Sequence, residues 1–465
     1  VDPRPLSFAA KACAGKIISG GGETLFSRVC TDSRQVQPGD LFIALVGEKF
    51  DGHKFLAEVA SKGVAAVMVN ATSAPKDFNA CPLVEVADTR AALGQLAAAY
   101  RSELSPQVVV VGGSNGKTTT KELLGSVLRQ RFTTVWSEAS FNNDIGVPQT
   151  LLRLDHTHQA AVLEVGTNHP GELAPLVRMA QPRFGVITNI GREHLEFFHD
   201  LNGVAQEEGV LAELLPTDGK LFINGDDLFA PALAERSRAE VVRVGFGDRN
   251  QWRVAWSRLS KDGTSFRVVA PKSEFSGDYR IGLLGRHQVM NSLLALAVGA
   301  EMGLSRAEIE LGLAECKAAK MRLQLYELGG IRVLDDAYNA NADSMLAALQ
   351  TLTDLPSKGR KVAVLGDMAE LGDYTEPAHR EVGKRAAELG IEQLIAIGRM
   401  APVTAQAARE AGLSRVLELR DVESAVGALK SFLKPGDLVL LKASRSSRLE
   451  RIVEQLRGSE IARKN

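Results

Sequence analysis

Four consecutive valines, residues 108–111, run straight into Gly112, Gly113, Ser114, Asn115 and Gly116, and then into "KTTTKELLGSVLRQ". An apolar β-branched run suits a strand buried on both faces of a parallel sheet. The stretch from Thr118 onward predicts a helix. A strand, a glycine turn and a helix start bring successive backbone N–H groups around one point, and the helix dipole adds partial positive charge there. Glycine is required because side chains would block the approach of a phosphate and because some positions need positive φ. Lys117 can reach the β- and γ-phosphates, and the Thr118 hydroxyl can serve Mg²⁺. The standard phosphate-loop signature places a further glycine five residues before Gly116, where this chain has Val111, so the loop is one residue tighter. A plain strand–helix turn is the competing reading, and the context favours nucleotide binding.

The rest of the chain is built to surround such a loop. With 465 residues it exceeds one ordinary core, and about 150 residues per domain predicts about three. Residues 1–87 carry short strands ("DLFIAL", "AAVMVN", "PLVEV") and a helical "KFLAEVASKG", a small N-terminal α/β domain without a phosphate loop. Residues 88–322 begin with the alanine-rich helix "DTRAALGQLAAAYRSEL". They continue through the strands "AAVLEV", "FGVITNI" and "KLFING", an alternation that predicts a central, mainly parallel sheet of ATPase type. Residues 323–465 alternate "IRVLDDA", "KVAVLGD", "QLIAIG", "RVLEL" and "DLVLLKA" with helices, which predicts a C-terminal Rossmann-like, doubly wound sheet. The fold class is therefore α/β with three domains, joined without Pro/Ser-rich linkers and hinged at a few residues.

Composition excludes several function classes. A formal net charge of −1 advertises neither nucleic acid nor an anionic membrane, so any anion site must be local. No apolar run reaches the length of a membrane span, and "VDPRPLSFAA" lacks the basic-then-apolar pattern of a signal sequence. Cys13, Cys30, Cys81 and Cys316 are widely spaced, which reads as reduced thiols in a cytoplasmic protein. No long apolar seam is left over, so a monomer is expected.

Two further strand ends fall on the phosphate-loop side of the central sheet. "AAVLEVGTNHPGEL" ends its strand at Glu164, and "FGVITNIGREHLEFF" carries His194 just past its strand end. In a parallel sheet these ends converge, so a carboxylate and an imidazole can approach Thr118 and a γ-phosphate; Mg²⁺ tolerates such a set with waters. In "SFNNDIGVPQTLL", Asn142 and Asn143 can contact phosphate or sugar oxygens, with ordinary loop capping as the alternative for each.

Taken in order, the loop, "EVG", "NIGREHLE", "GRHQVMNSLLALAVG", "MRLQ" and "DDAYNANADSM" resemble the Mur ligase superfamily, ATP-dependent amide-bond ligases of peptidoglycan precursors in which the tight phosphate loop is characteristic. "CTDSRQVQPGDLFIALVGEKFDGHKF" resembles the uridine-nucleotide end of the later-acting branches. "DDAYNANADSM" with "LGDMAELGDYTEPAHREVG" is most similar to the branch joining D-Ala-D-Ala to UDP-MurNAc-tripeptide through an acyl phosphate.

The resemblance implies ATP and Mg²⁺ as cofactors, these two small-molecule substrates as partners, and the following roles. Ser33 and Arg34 receive the UDP part. Gly113, Ser114, Asn115, Gly116, Lys117, Thr118 and Thr119 hold the phosphates. Thr118, Glu164 and His194 bind magnesium. Asn291 and His287 serve the adenine, Asp336 the ribose, and Arg322 reaches the phosphates from the hinge. Tyr338, Asn339 and Asn341 face the cleft from the third domain. Three positions depart from the family pattern: Glu208 stands where a carbamylated lysine is common, Met321 where a glycine precedes the arginine, and Ala443 where a glycine is usual in "KASR". Glu208 either supplies the carbamate's negative charge directly or is a solvated helix glutamate. A sibling ligase adding a diamino acid is disfavoured because its Asp-Asn-Pro-Arg signature is missing. The remaining alternative is a nucleotide-gated binding protein without ligase activity.

Overall fold

The computed structural model describes residues 1–75 and 77–464, with backbone alone for 458–464. Besides a two-stranded antiparallel pair, Arg4–Pro5 with Leu25–Phe26, three larger sheets carry the described residues, and each takes its parallel core from the apolar runs noted above. The first has five strands in the order Lys16–Ser19, Leu83–Val86, Ala66–Asn70, Asp40–Ile43, Arg28–Cys30, parallel except for the Lys16–Ser19 edge. The helix Thr89–Ser102 starts on the side chain of Asp88, which accepts from the N–H groups of Arg90 and Ala91. It buries Leu93, Leu96, Ala97 and Tyr100 in a hydrophobic cluster that also holds Met68 of the first sheet and Val108 and Val110 of the second. One continuous core therefore spans both sheets.

The second sheet has nine strands. Gln107–Gly112 is third from the Thr134–Trp136 edge, flanked in parallel by Ala160–Glu164 on one side and Phe184–Ile187 on the other. Alternate valines of this strand enter opposite cores, Val108 and Val110 on one face and Val109 and Val111 on the other. The phosphate loop thus leaves a strand whose neighbours diverge to either side, the crevice where ligands of open α/β sheets bind. Beyond Glu240–Gly245 the sheet continues into Trp252–Ser260, Gly263–Val269 and Gly277–Ile281, the last two pairings antiparallel. These three strands were not foreseen, because Trp252–Ser260 exposes most of its outer residues and lacks a long apolar run.

The third sheet runs Gln324–Leu328, Ile331–Asp335, Leu438–Lys442, Lys361–Leu365, Gln393–Ile397, Val416–Leu419, with only its first pair antiparallel. Its strands alternate strictly: Leu334, Ala363, Leu394 and Leu440 face one core, Val333, Val362, Ile395 and Val439 the other. Helices cover both faces, as the doubly wound expectation requires. The junction to the second sheet is a short turn in which Met321 and Leu323, on either side of Arg322, have φ of 57° and 52°. Left-handed backbone favours glycine, so Met321 stands in a conformation suited to the residue it replaces. At the other departure, the Ala443 methyl is accommodated by Gly366, where an added Cβ would lie 2.7 Å from it.

The helix that follows the phosphate loop, Lys117–Leu128, meets the helix Arg306–Glu315 at very close range. A Cβ on Gly312 would lie 2.5 Å from Val127 Cα, and Ser126 Oγ donates to Gly312 O at 2.7 Å. Backbone cannot yield as a side-chain tip can, so Gly312→Ala should cost about 1–3 kcal/mol of stability. Urea unfolding of the two proteins measures it, and an unchanged midpoint would refute the close approach.

Candidate active site

The loop is held by the protein on one side and left open on the other. Gly113 has φ 103° and Gly116 has φ 88°, both in the region that glycine alone enters freely. Gly113 N donates to Glu208 Oε2 at 2.6 Å, Ser114 N to Asn189 O at 2.8 Å and Asn115 N to Asn189 Oδ1 at 3.1 Å. Three of the expected phosphate-facing N–H groups are thereby spent on the protein. The N–H groups left for an anion are those of the helix start, from Gly116 to Thr119, which an α-helix leaves without internal acceptors.

Lys117 Nζ donates to Gly113 O at 2.5 Å and lies 3.3 Å from Glu193 Oε2. Desolvation disfavours its charge, but the carboxylates of Glu193, Glu208 and Glu164 outweigh it and hold the ammonium pKa above its ordinary value. Lys117 is a permanent cation at the mouth of the loop. Arg322 reaches across from the hinge: its Nη2 donates to Thr118 Oγ1 at 2.9 Å, and its guanidinium stacks on the Tyr338 ring at 4.3 Å. Cation–π stacking fixes the direction of the side chain.

Glu164 is buried at its strand end. Its Oε1 accepts from Asn142 Nδ2 at 2.8 Å, while Oε2 is buried with no partner among the described residues. His194 has φ 49°, and its Nδ1 is 2.5 Å from Glu370 Oε2 of the third sheet's loops. Glu208 corrects the solvated alternative. It is fully buried beneath the loop, one oxygen on Gly113 N and the other, Oε1, without a partner among the described residues. Burial pushes its carboxyl up to about 7, although Lys117 pulls it down.

These groups open into one cavity of about 940 Å³ between the second and third sheets. Ser114 to Thr119, Asn142, Glu164, His194, His287, Asn291, Arg322, Asp336, Tyr338, Asn339 and Asn341 line it. Asn291 is buried against the loop, where a Cβ on Gly116 would meet its Oδ1 at 2.6 Å. Desolvation pushes His287 down to about 4, so its ring stands neutral near pH 7. From the third sheet, Asn341 Nδ2 donates to Asn115 Oδ1 at 3.0 Å, a direct bond between that segment and the phosphate loop. Asp336 is ion-paired with Lys442 at 2.6 Å and accepts from Leu323 N at 3.1 Å, so it also braces the hinge.

Ser33 and Arg34 lie elsewhere, in the turn after Arg28–Cys30, where Arg34 is exposed and paired with Asp32. Asn143 does not line the cavity; its Oδ1 accepts from Ile145 N and Gly146 N, the capping alternative. Sequence reading missed Glu193, Arg192, Glu370 and Lys442. Glu193 and Arg192 adjoin His194 in "GREHLE" and could have been suspected. Glu370 and Lys442 become visible only when the third sheet packs.

Among the described residues, no group of three or more His, Cys, Asp or Glu is arranged to hold a metal alone. The donors present suit a magnesium ion that completes its shell with water and phosphate: a threonine hydroxyl, a buried carboxylate with a free oxygen, and an imidazole.

A tight phosphate loop at a sheet's switch point, facing a second doubly wound sheet across one cleft, defines a nucleotide-dependent enzyme closed by its C-terminal domain. The chain belongs to the Mur ligase family. Three of its profiles match: "Mur ligase family, catalytic domain" over residues 26–101, "Mur ligase middle domain" over 111–299 and "Mur ligase, glutamate ligase domain" over 321–445. The chain is 36% identical to the UDP-N-acetylmuramoyl-tripeptide–D-alanyl-D-alanine ligase of Bacillus subtilis, over 95% of both chains. It is 36% identical to the Escherichia coli protein of the same name, over 94% of this chain and 95% of that one. Its fold matches the crystal structure of MurF from Acinetobacter baumannii with a TM-score of 0.88 at 31% identity, over 98% and 100% of the chains. MurF from Thermotoga maritima in complex with ADP matches at 0.79 and 26% identity, over 94% and 98%.

Two outcomes are expected. A Cβ on Gly113 would lie 2.8 Å from Thr188 N at a φ that side chains rarely adopt. Gly113→Ala should therefore abolish measurable binding of a nonhydrolysable ATP analogue by calorimetry, and unaltered affinity would refute the loop geometry. The second concerns Glu208. Its folded pKa of about 7 exceeds that of an unfolded glutamate, ~4.3, so the unfolded chain releases this proton first and the wild type loses stability as pH rises through that window. Glu208→Gln keeps an acceptor for Gly113 N–H and removes the titration. Its Tm relative to wild type should climb between about pH 4 and pH 7 and level off above; parallel pH profiles would refute this.

Proposed function

We propose that this chain is an ATP-dependent ligase that joins D-alanyl-D-alanine to UDP-N-acetylmuramoyl-tripeptide through an acyl phosphate, forming ADP and phosphate. One observation carries the reading: the phosphate loop, Arg322 and the turn after Ile331–Asp335 converge on a single cavity, in a chain aligned nearly end to end with relatives whose names state that reaction. The tripeptide carboxylate attacks the γ-phosphate, and the amine of D-Ala-D-Ala then displaces phosphate from the activated carbonyl. Two anions must be brought together, so the main contribution is electrostatic. Lys117 and Arg322 bear on the transferring group, exchanging their present acceptors for phosphate oxygens.

Residues 1–87 serve as the UDP-sugar-peptide domain, with Ser33 and Arg34 toward the nucleotide. Residues 88–322 hold ATP, and residues 323–465 present Tyr338, Asn339 and Asn341 toward the incoming dipeptide. Thr118, Glu164 and His194 would hold magnesium, which neutralises charge on the phosphates when bound. Asn142 orients Glu164 through the bond to Oε1. Glu208 holds the loop root through Gly113 N–H, and its ionised form adds negative charge near Lys117. Asn291 and His287 border the base, and Asp336 the ribose. Closure of the third domain excludes water, which would otherwise hydrolyse the acyl phosphate. No helix among the described residues is long and apolar enough to cross a membrane. The proposed enzyme acts in the cytoplasm, as a monomer, on a water-soluble precursor.

The test is phosphate release from ATP with UDP-MurNAc-tripeptide, with and without D-Ala-D-Ala. Release should depend on both substrates and match dipeptide consumption. Lys117→Ala should lower kcat by about a hundred- to a thousand-fold. ATP hydrolysis indifferent to the amine acceptor would sink the proposal.

A further inference from the structure

His194 sits at the start of a short turn of helix, Leu195–Phe198, and the third segment grips this turn from outside. Glu370, in the loop after Lys361–Leu365, places Oε2 2.5 Å from His194 Nδ1 and accepts Glu196 N–H on its main-chain oxygen at 3.2 Å. Two residues on, a Cβ on Gly372 would lie 3.1 Å from Glu196 Cα, so the two backbones run in close contact. Arg192 is held from the same side by Asp343 at 2.6 Å and Glu381 at 2.5 Å. Both partners of the central contact are non-glycine residues in the left-handed region, His194 at φ 49° and Glu370 at φ 60°. Strained conformations of this kind persist where surrounding contacts impose them, and they cluster at functional sites.

The geometry decides the imidazole's chemistry. With Nδ1–H given to a carboxylate, Nε2 carries the lone pair. Nε2 lies 3.9 Å from Glu193 Oε2, the oxygen that Lys117 Nζ approaches at 3.3 Å, and both His194 and Glu193 line the cavity, so Nε2 is the ring nitrogen on the phosphate-loop side. A carboxylate behind a ligating histidine fixes its tautomer and raises its basicity.

We propose that Glu370 is a positioning residue for His194: docking of the C-terminal sheet delivers the carboxylate that sets His194 in the Nδ1–H tautomer, with Nε2 turned to the metal and phosphate side. The inference rests on the role given to His194 under the proposed function. It makes metal affinity depend on domain closure, because the orienting group and the ligand come from different domains.

Side-chain nitrogen NMR of ¹⁵N-histidine-labelled protein tests it directly, with the His194 signal identified by its loss in His194→Gln. The wild type should show Nδ1 protonated and Nε2 bare. Glu370→Ala should revert to the Nε2–H form usual for a free imidazole, while Glu370→Gln, whose amide oxygen still accepts, should keep the native tautomer. In parallel, the Mg²⁺ concentration for half-maximal phosphate release should rise about 10- to 100-fold in Glu370→Ala, recover in large part in Glu370→Gln, and leave the KM for the nucleotide-sugar peptide unchanged. A wild-type Nε2–H tautomer, or a Glu370→Ala protein unaltered in tautomer and Mg²⁺ dependence, overturns the proposal. A wild type with the Nδ1–H tautomer but without ligation would instead remove the functional reading and leave the pairing intact.

Discussion

The site depends on how the root of the phosphate loop is tied. Gly113 N–H is given to a buried glutamate and the next two N–H groups to Asn189, so the loop's shape is imposed by the end of the helix Leu201–Glu208 and the segment just past the strand Phe184–Ile187. The cost is a carboxylate held under the loop with one oxygen lacking a partner among the described residues. Lys117 offsets that cost, and the glutamates in turn keep Lys117 charged. A cation kept charged by the carboxylates around it pre-organises the pocket before any phosphate arrives, which is where electrostatic catalysis gains most.

The second dependence is the seam between the central and C-terminal sheets. Arg322 donates to the Thr118 hydroxyl, Asn341 to Asn115, and Arg192 and His194 are paired with carboxylates from beyond the hinge. Arg322 stands at the hinge itself, and the other three contacts tie the central domain to the C-terminal one beside the phosphate loop. The hinge is short and strained, with Met321 and Leu323 both left-handed, so the backbone path itself restricts the arrangements available. First and second sheets, by contrast, share a continuous apolar core through the helix Thr89–Ser102, a connection with little freedom to move.

Most of the architecture was legible in the chain. Valine and leucine runs with glycine turns mark strands of parallel sheets, and all the strand runs quoted from the central and C-terminal segments are strands in the structure. The antiparallel strands from Trp252 to Ile281 were not legible, because a strand with one face open to water carries no continuous apolar signature. Among site residues, those at strand ends such as Glu164 were readable, since a parallel sheet gathers its carboxyl ends. Glu208 was ambiguous: nothing in "QEEGVLAELL" separates a buried glutamate from a solvated one. Asn143 looked the same as Asn142, yet one caps a helix and the other holds Glu164.

By itself the sequence determined the strand–loop–helix unit, the three α/β segments and the residue types able to handle phosphate, because these follow from local periodicity and from the backbone freedom of glycine. Tertiary structure alone decided which N–H groups remain for a ligand, the burial of Glu208, the partnership of His194 with Glu370 and the reach of Arg322 to Thr118. Those outcomes depend on distances between segments tens to hundreds of residues apart, and on water excluded by packing, neither of which is written in any local stretch of chain.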